Sequence, residues 1–288
     1  MKKLLFALLY YSCAISLISW FNRKRVPIIC YHSVTSDAEP VLHDPHKQHI
    51  PLDLFLQHLD HLQSKHRIVS LSEYIDARRN NRRLPDYSAV LTFDDGFEDF
   101  YSVAAPHLIE RKMPATVFVI ADRAFGRFVP NGESFLSWNQ IRELANRGVE
   151  IGSHSCSHTP LTELSPKEVT KELADSRALL ETELGRSPIS LSYPFGQTSD
   201  AICRLAESLG YTCAIASDAG PNHGKASLYR LGRTVIASDD NVATFAARVS
   251  GLTWWATRCR RLLGAQRKVS WKPSFDSYGS AAPEFYVD

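Results

Sequence analysis

Two neighbouring aspartates and two histidines four residues apart are the parts of this 288-residue chain best suited to chemistry. The aspartates sit in Thr92-Phe93-Asp94-Asp95-Gly96, directly after an apolar, β-branched run. Consecutive residues leaving a strand point in different directions, so one carboxylate can hold a cation while the other faces water or substrate. Taken alone, Asp-Asp-Gly also describes an ordinary turn. The histidines lie in Gly152-Ser153-His154-Ser155-Cys156-Ser157-His158. On a helical turn, that spacing brings both imidazoles to one face and within reach of one cation. Position 155 is Ser, so the helical H-E-x-x-H protease motif is absent. Combined with a carboxylate, the pair makes a two-histidine, one-carboxylate set with open coordination positions, as a catalytic metal site requires.

Other histidines compete for the role. His43, His46 and His49 form an H-x-x-H-x-x-H run, but in loop sequence with no strand end beside it. His58, His61 and His66 belong to a helical pattern and its exit, His107 to another helix, and His223 to a Gly/Pro/Asn loop. None has a carboxylate placed as Asp94 and Asp95 are.

These side chains need a scaffold that gathers them, and the remaining pattern supplies one. Short apolar runs recur at Val26–Tyr31, Ala89–Phe93, Ala115–Ile120, Val149–Ser153, Ile189–Tyr193, Thr212–Ser217 and Arg233–Ile236. Amphipathic segments such as Leu52–Ser64, Trp138–Asn146, Pro166–Leu184 and Ser199–Leu209 lie between them. Ser137 and Ser165 stand where helices start, and Gly148, Gly185 and Gly210 where they stop. Strand then helix, repeated, predicts a parallel α/β sheet, and about 240 residues of it match a closed barrel. A doubly wound open sheet is the alternative, but no G-x-G-x-x-G follows the first run. In a barrel the chemistry belongs at the carboxyl ends of the strands. His32, Asp94, Asp95, His154, His158, Tyr193 and Asp218 all fall at such ends, on one rim.

Composition narrows the function from outside. Lys and Arg total 33 against 31 Asp and Glu, a net charge of +2, which builds no broad positive field for nucleic acid. The six cysteines form no C-x-x-C pair, so a zinc-thiolate site is not expected, and buried free thiols are favoured over a Cys203–Cys213 bridge. An apolar run from Leu4 to Phe21, flanked by Lys2-Lys3 and Arg23-Lys24-Arg25, reads as an N-terminal hydrophobic helix and membrane anchor over residues 1–25. A cleaved signal and a surface helix are the alternatives, and the basic residues at both ends leave orientation open. One domain, residues 26–265, follows, then a loosely held tail over 266–288. Gly251–Leu263, with Trp254 and Trp255 beside Arg258, Arg260 and Arg261, reads as a covering helix or a membrane-resting one.

From Val26 to Ile236 the chain resembles the polysaccharide deacetylase family of NodB-like carbohydrate esterases. The resemblance is carried by Thr92-Phe93-Asp94-Asp95-Gly96, Ala115-Thr116-Val117-Phe118-Val119, His154-Ser155-Cys156-Ser157-His158 and Tyr193-Pro194-Phe195-Gly196, in that order. It implies a distorted (β/α)7 barrel, in agreement with the seven runs above. It implies a divalent metal, usually zinc, held by Asp95, His154 and His158, with Asp94 as general base and the backbone N–H of Tyr193 at the oxyanion. The late Leu-x-His strand of many members is missing. Ile28-Ile29-Cys30-Tyr31-His32 resembles that strand moved to the front, which makes His32 the expected general acid. The arginine that steadies the base is also missing before Tyr193, and Arg233, with Arg230 behind it, is the expected substitute.

The expected activity is metal-dependent hydrolysis of N-acetyl groups on an amino-sugar polysaccharide, by a membrane-anchored barrel on the periplasmic or extracellular side. An amidase acting on a small or lipid-linked sugar, and a carbohydrate-binding barrel without turnover, stand as alternatives.

Overall fold

The computed structural model describes residues 14–36, 48–124, 134–217, 222 and 226–252. Strands β1 (Ile28–Tyr31), β2 (Ser33–Thr35), β3 (His49–Pro51), β4 (Arg67–Ile68), β5 (Ser88–Phe93), β6 (Ala115–Val119), β7 (Glu150–Ser153), β8 (Ser190–Ser192), β9 (Cys213–Ala216), β10 (Leu231–Gly232) and β11 (Thr234–Val235) alternate with helices. The helices are α1 (Ala14–Asn22), α2 (Leu52–Lys65), α3 (Leu71–Arg79), α4 (Ala105–Glu110), α5 (Trp138–Asn146), α6 (Pro166–Leu184), α7 (Asp200–Ser208) and α8 (Val242–Val249).

The main sheet runs β10-β9-β8-β7-β6-β5-β1-β11, and every pairing in it is parallel. Its two ends are one stretch of chain. Leu231 and Gly232 pair with β9, Thr234 and Val235 pair with β1, and Arg233 alone lies between them. The seventh strand thus bridges the first and the sixth, and the sheet curls into the expected (β/α)7 barrel. Its distortion is local: the closing strand changes partner in mid-course.

Period-two alternation divides each strand between the lumen and the helices. Ile28, Val90, Phe118, Ile215 and Leu231 pack in one cluster with Leu71, Tyr74 and Ile75 of α3. Glu150, opening β7, accepts the N–H groups of Leu71 (3.1 Å) and Ser72 (3.2 Å) and the Thr116 hydroxyl (2.9 Å). A carboxylate on the first turn of a helix is favourable, and it fastens α3 under the amino ends of the strands. Outward residues such as Ile29, Leu91, Phe93, Val117 and Ile151 join a second, larger cluster with Phe55, Leu59 and Leu62 of α2 and Ile141 and Leu144 of α5. Gly152 permits a close approach inside the barrel, since a Cβ there would fall 2.5 Å from the Phe118 ring.

The helix signals behave as expected. Ser137 and Ser165 both form capping boxes, with Gln140 and Glu168, and Gly185 ends α6 in the left-handed region at φ 66°. Helix α4 carries His107 as expected, while helices α3 and α8 and the small β2–β3 sheet are additions to the expected elements.

At the amino end, Ile15 of α1 packs against Ala246 and Ala247, while Leu17 (58%), Trp20 (49%) and Phe21 (70%) are exposed. No helix among the described residues is long and apolar enough to cross a membrane. Residues 1–13 of the expected anchor, Gly251–Leu263 beyond position 252, and the tail lie outside the described residues, as do His43, His46, Asp218 and His223. Cys30, Cys156, Cys203 and Cys213 are free thiols, so the Cys203–Cys213 bridge is not formed.

Candidate active site

The barrel rim assembles from residues that leave the strands at their carboxyl ends. The register of β1 on β5 sets Tyr31 beside Phe93, and the Asp94 N–H donates to the Tyr31 carbonyl at 3.0 Å. His32 and Asp94 therefore leave two neighbouring strands at the same level. Asp95 and Gly96 follow with φ of 70° and 71°. A non-glycine residue rarely holds that conformation, and it turns the Asp95 carboxylate across the rim. On the next strands, the His154 N–H donates to the Val119 carbonyl at 2.9 Å, and the chain then loops to His158.

That loop is not helical, contrary to the expectation from spacing. Ser155 (φ 63°) and His158 (φ 65°) are both left-handed, and the Ser155 hydroxyl accepts the His158 N–H at 3.0 Å. Glu172 of α6 holds the loop from outside. It accepts the N–H groups of Cys156 (3.0 Å) and Ser157 (2.9 Å) and the Ser157 hydroxyl (2.7 Å). The imidazoles meet because the loop folds back on itself, not because a helix stacks them.

Their meeting point is the Asp95 carboxylate. Asp95 Oδ1 lies 3.2 Å from His154 Nε2 and 3.3 Å from His158 Nε2, and the three donor atoms fall within 4.8 Å of one another. His154 Nδ1 donates to the Ser192 carbonyl at 2.8 Å, which in the neutral imidazole leaves the Nε2 lone pair facing Asp95. Asp95 Oδ1 is buried and accepts no hydrogen bond. Lone pairs that converge in a buried space repel unless a cation lies among them. The donor set, one carboxylate and two imidazoles with a backbone-fixed tautomer, fits a divalent ion.

Asp94 is held differently. Its Oδ2 accepts from the Arg233 guanidinium and from the Ser192 hydroxyl (3.1 Å), while Oδ1 is buried without a partner. Arg233 also donates to the hydroxyls of Ser192 (2.9 Å) and Ser217 (3.1 Å). The break between β10 and β11 places this arginine inside the rim with its side chain 3% exposed.

Charges follow from this packing. Burial pushes Asp94 up, but Arg233, with His154 and His32, outweighs it and holds the carboxyl below its usual range. Asp95 is likewise raised by burial and carried well below its usual range by His158 and His154. Burial lowers His158 to about 3 against the pull of Asp95. Burial also lowers His154, but Asp94 and Asp95 overcome it and leave the imidazole raised: without another cation, a proton is the species that fits between them. His32 is lowered by burial, and its Nδ1 is unpartnered.

Residues 81–214 match the polysaccharide deacetylase family. The chain is similar to that family over this stretch. A relative named for the same family, YxkH of Bacillus subtilis (strain 168), is 25% identical over 238 residues, covering 81% of this chain and 80% of its own length. The poly-beta-1,6-N-acetyl-D-glucosamine N-deacetylase of Escherichia coli (strain K12) is 26% identical over 218 residues, which are 63% of this chain and 32% of that protein. Among solved structures, IcaB from Ammonifex degensii superposes with a TM-score of 0.67 at 27% identity, over 79% of this chain and 97% of that one. The Streptococcus pyogenes deacetylase PplD in complex with acetate also gives 0.67, at 26% identity over 78% and 98%.

Within the rim, one expected role fails on geometry. The Tyr193 N–H donates to the Ile215 carbonyl at 3.0 Å, and its hydroxyl to the Tyr229 carbonyl at 2.9 Å. The ladder between β8 and β9 uses the first, and the outer packing of the barrel uses the second, so Tyr193 offers the site no donor. Arg230 pairs with the exposed Asp200, away from Asp94. Of the H-x-x-H-x-x-H run, only His49 is described; its Nδ1 lies 2.8 Å from the Ser33 hydroxyl.

Ser192 and Glu172 are parts of the site that the residue patterns did not reveal. Ser192 is the last residue of an inward-facing strand end, a position where any small polar side chain is a candidate. Glu172 carries no such signal: it is one carboxylate among several on an amphipathic helix.

Proposed function

We propose that this chain removes N-acetyl groups from an amino-sugar polysaccharide, with a divalent cation, zinc by preference, held by Asp95, His154 and His158. The observation that carries the reading is the convergence of those three donors beside a second carboxylate with its own buried counter-charge. The relatives named as deacetylases of N-acetylglucosamine polymers support the substrate class. Bound there, the cation supplies Lewis acidity, bringing the pKa of water toward about 7 and withdrawing electron density from the acetamide carbonyl.

The residues supply the rest. Asp94, kept ionised by Arg233, offers Oδ1 to the proton of the attacking water. Ser192 serves both halves of the site, since its carbonyl fixes the His154 ring and its hydroxyl steadies Asp94. His32 stands on the neighbouring strand end and protonates the departing amine. Burial makes its imidazolium a stronger acid than an exposed one, while Asp95 and Asp94 draw a proton toward it. Water adds across the C–N bond, leaving acetate and a free amino sugar.

The apolar N-terminal segment, together with the exposed Leu17, Trp20 and Phe21 of α1, supports anchoring at a membrane, and the proposal takes the barrel to lie on its outer side. A reporter fused to the carboxyl end reads the orientation. For the chemistry, purified protein is assayed for acetate release from N-acetylglucosamine oligomers, before and after chelation and again after zinc is restored. Release that is lost and regained supports the proposal; release indifferent to chelation, or none on any N-acetylated glycan, refutes it.

A further inference from the structure

Beneath the rim lies a second group of donors that the proposed reaction leaves partly unused. Cys30 and His32 flank Tyr31 on β1, and the period of a strand sends both to the same face. Register places Cys30 beside Thr92, two residues before Asp94 on the adjoining strand. The Cys30 sulfur, a His32 ring nitrogen and an Asp94 carboxylate oxygen lie within 4.8 Å of one another, and all three residues are buried. Two of them have atoms with nothing to bind: His32 Nδ1 and Asp94 Oδ1 are buried and unpartnered. The Cys30 thiol donates to the carbonyl of its neighbour Tyr31 at 3.4 Å and meets the Thr92 side chain.

Thiolate, imidazole and carboxylate together form a softer set than the one at Asp95, and suit zinc or cadmium over magnesium or calcium. We propose that Cys30, His32 and Asp94 form a second, inhibitory site for thiophilic divalent cations. The inhibitory consequence rests on the reading above of Asp94 as base and His32 as acid, because a cation bound here occupies both. On binding, the Cys30 S–H bond breaks, an S–metal bond forms and the proton leaves to solvent. This site fills after the first. Arg233 already neutralises the other oxygen of Asp94, and His154 Nε2, a ligand of the first site, lies 3.5 Å from that same oxygen. The two cations repel, so the second binds only at excess.

The test titrates the metal-free full-length chain with cadmium, following stoichiometry by equilibrium dialysis and thiolate-to-cadmium charge transfer in the ultraviolet. Wild type should bind two equivalents, with the ultraviolet band arriving with the second. Cys30→Ser and Cys30→Ala should bind one equivalent without the band. Acetate release by the zinc-loaded variants should resist excess cadmium at concentrations at least about tenfold above those that inhibit wild type. A wild type that stops at one equivalent with no band overturns the second site and leaves the first standing. A band that persists in both Cys30 variants belongs to another thiol and also overturns it. Failure of every variant to bind even one equivalent refutes the Asp95 site itself, and the second site with it.

Discussion

Replacing Arg233 with methionine isolates what the buried guanidinium does for Asp94. The two side chains are 3% and 0% exposed, so neither water nor salt can replace the lost partner. Breaking a buried ion pair from one side costs about 3–5 kcal/mol, because the other charge is stranded. An adjacent arginine depresses a carboxyl by about 1–3 units, and each unit is about 1.4 kcal/mol, so the two routes overlap at about 3–4 kcal/mol. The sign follows from the environment. In wild type, Asp94 is depressed, so its contribution to stability is present above the ordinary carboxylate range and lost as pH falls through the depressed value. In Arg233→Met, burial acts unopposed by the guanidinium and Asp94 moves upward. The variant is then least handicapped below about pH 4, and its deficit grows as pH rises toward neutrality. Urea unfolding of metal-free wild type and variant from pH 3 to 8 measures that gap. The acid side of kcat/KM in the zinc-loaded enzyme reads the same carboxyl, and an Asp94 limb should enter the profile of the variant. Metal content should not change, since none of the three ligands is touched. A stability gap independent of pH, with an unmoved acid limb, would show that Arg233 acts only by filling space.

Three further outcomes follow from the geometry. Asp94→Asn should keep the bound cation and lose about 10²–10⁴ in kcat, whereas Asp95→Ala should lose the cation in equilibrium dialysis; retention of near-wild-type turnover by Asp94→Asn removes it as the base. Glu172→Ala frees three donors of the histidine loop and should weaken zinc binding by about 10–100-fold, with partial recovery in Glu172→Gln; unchanged affinity would mean that Ser155 alone holds the loop. His58 is lowered by burial from 6.5 to about 4; its Nε2 lies 2.7 Å from the Asp240 carbonyl, and its Nδ1 accepts from the Tyr31 hydroxyl. Its neutral form therefore stabilises the fold above pH 6.5, and that contribution fades as pH falls toward 4, so the advantage of wild type over His58→Gln in urea should shrink by about 3 kcal/mol between pH 7 and 4.

The seven strands were legible because each falls in a short apolar run followed by a helical pattern, in places with a clear start and stop, as at Ser165 and Gly185. Asp95, His154 and His158 could be named as candidate ligands because they sit at strand ends, where a barrel gathers its chemistry, and because the resemblance selects Asp95 over Asp94. Arg233 could be named only through the resemblance, as the substitute for an arginine missing before Tyr193, since its position at the closing strand depends on a change of hydrogen-bonding partner that no local pattern records. The helical reading of His154–His158 failed because two left-handed residues and a distant carboxylate shape that loop. Tyr193 failed for a related reason: whether a backbone N–H is spent in a ladder depends on the register of two strands, here β8 on β9.

The split strand around Arg233 also bears on how the enzyme matures during synthesis. The counter-ion of Asp94 arrives 139 residues after it, on the stretch that completes the ring. Until then, an ionised Asp94 cannot leave water without a heavy penalty. Closing so long a loop is slow, and nothing repays it before the seam zips shut. On the proposed roles, a ribosome-bound chain halted short of position 233 would have Asp95, His154 and His158 in hand but no counter-charge for Asp94, so ring closure and the onset of hydrolysis would be a single event.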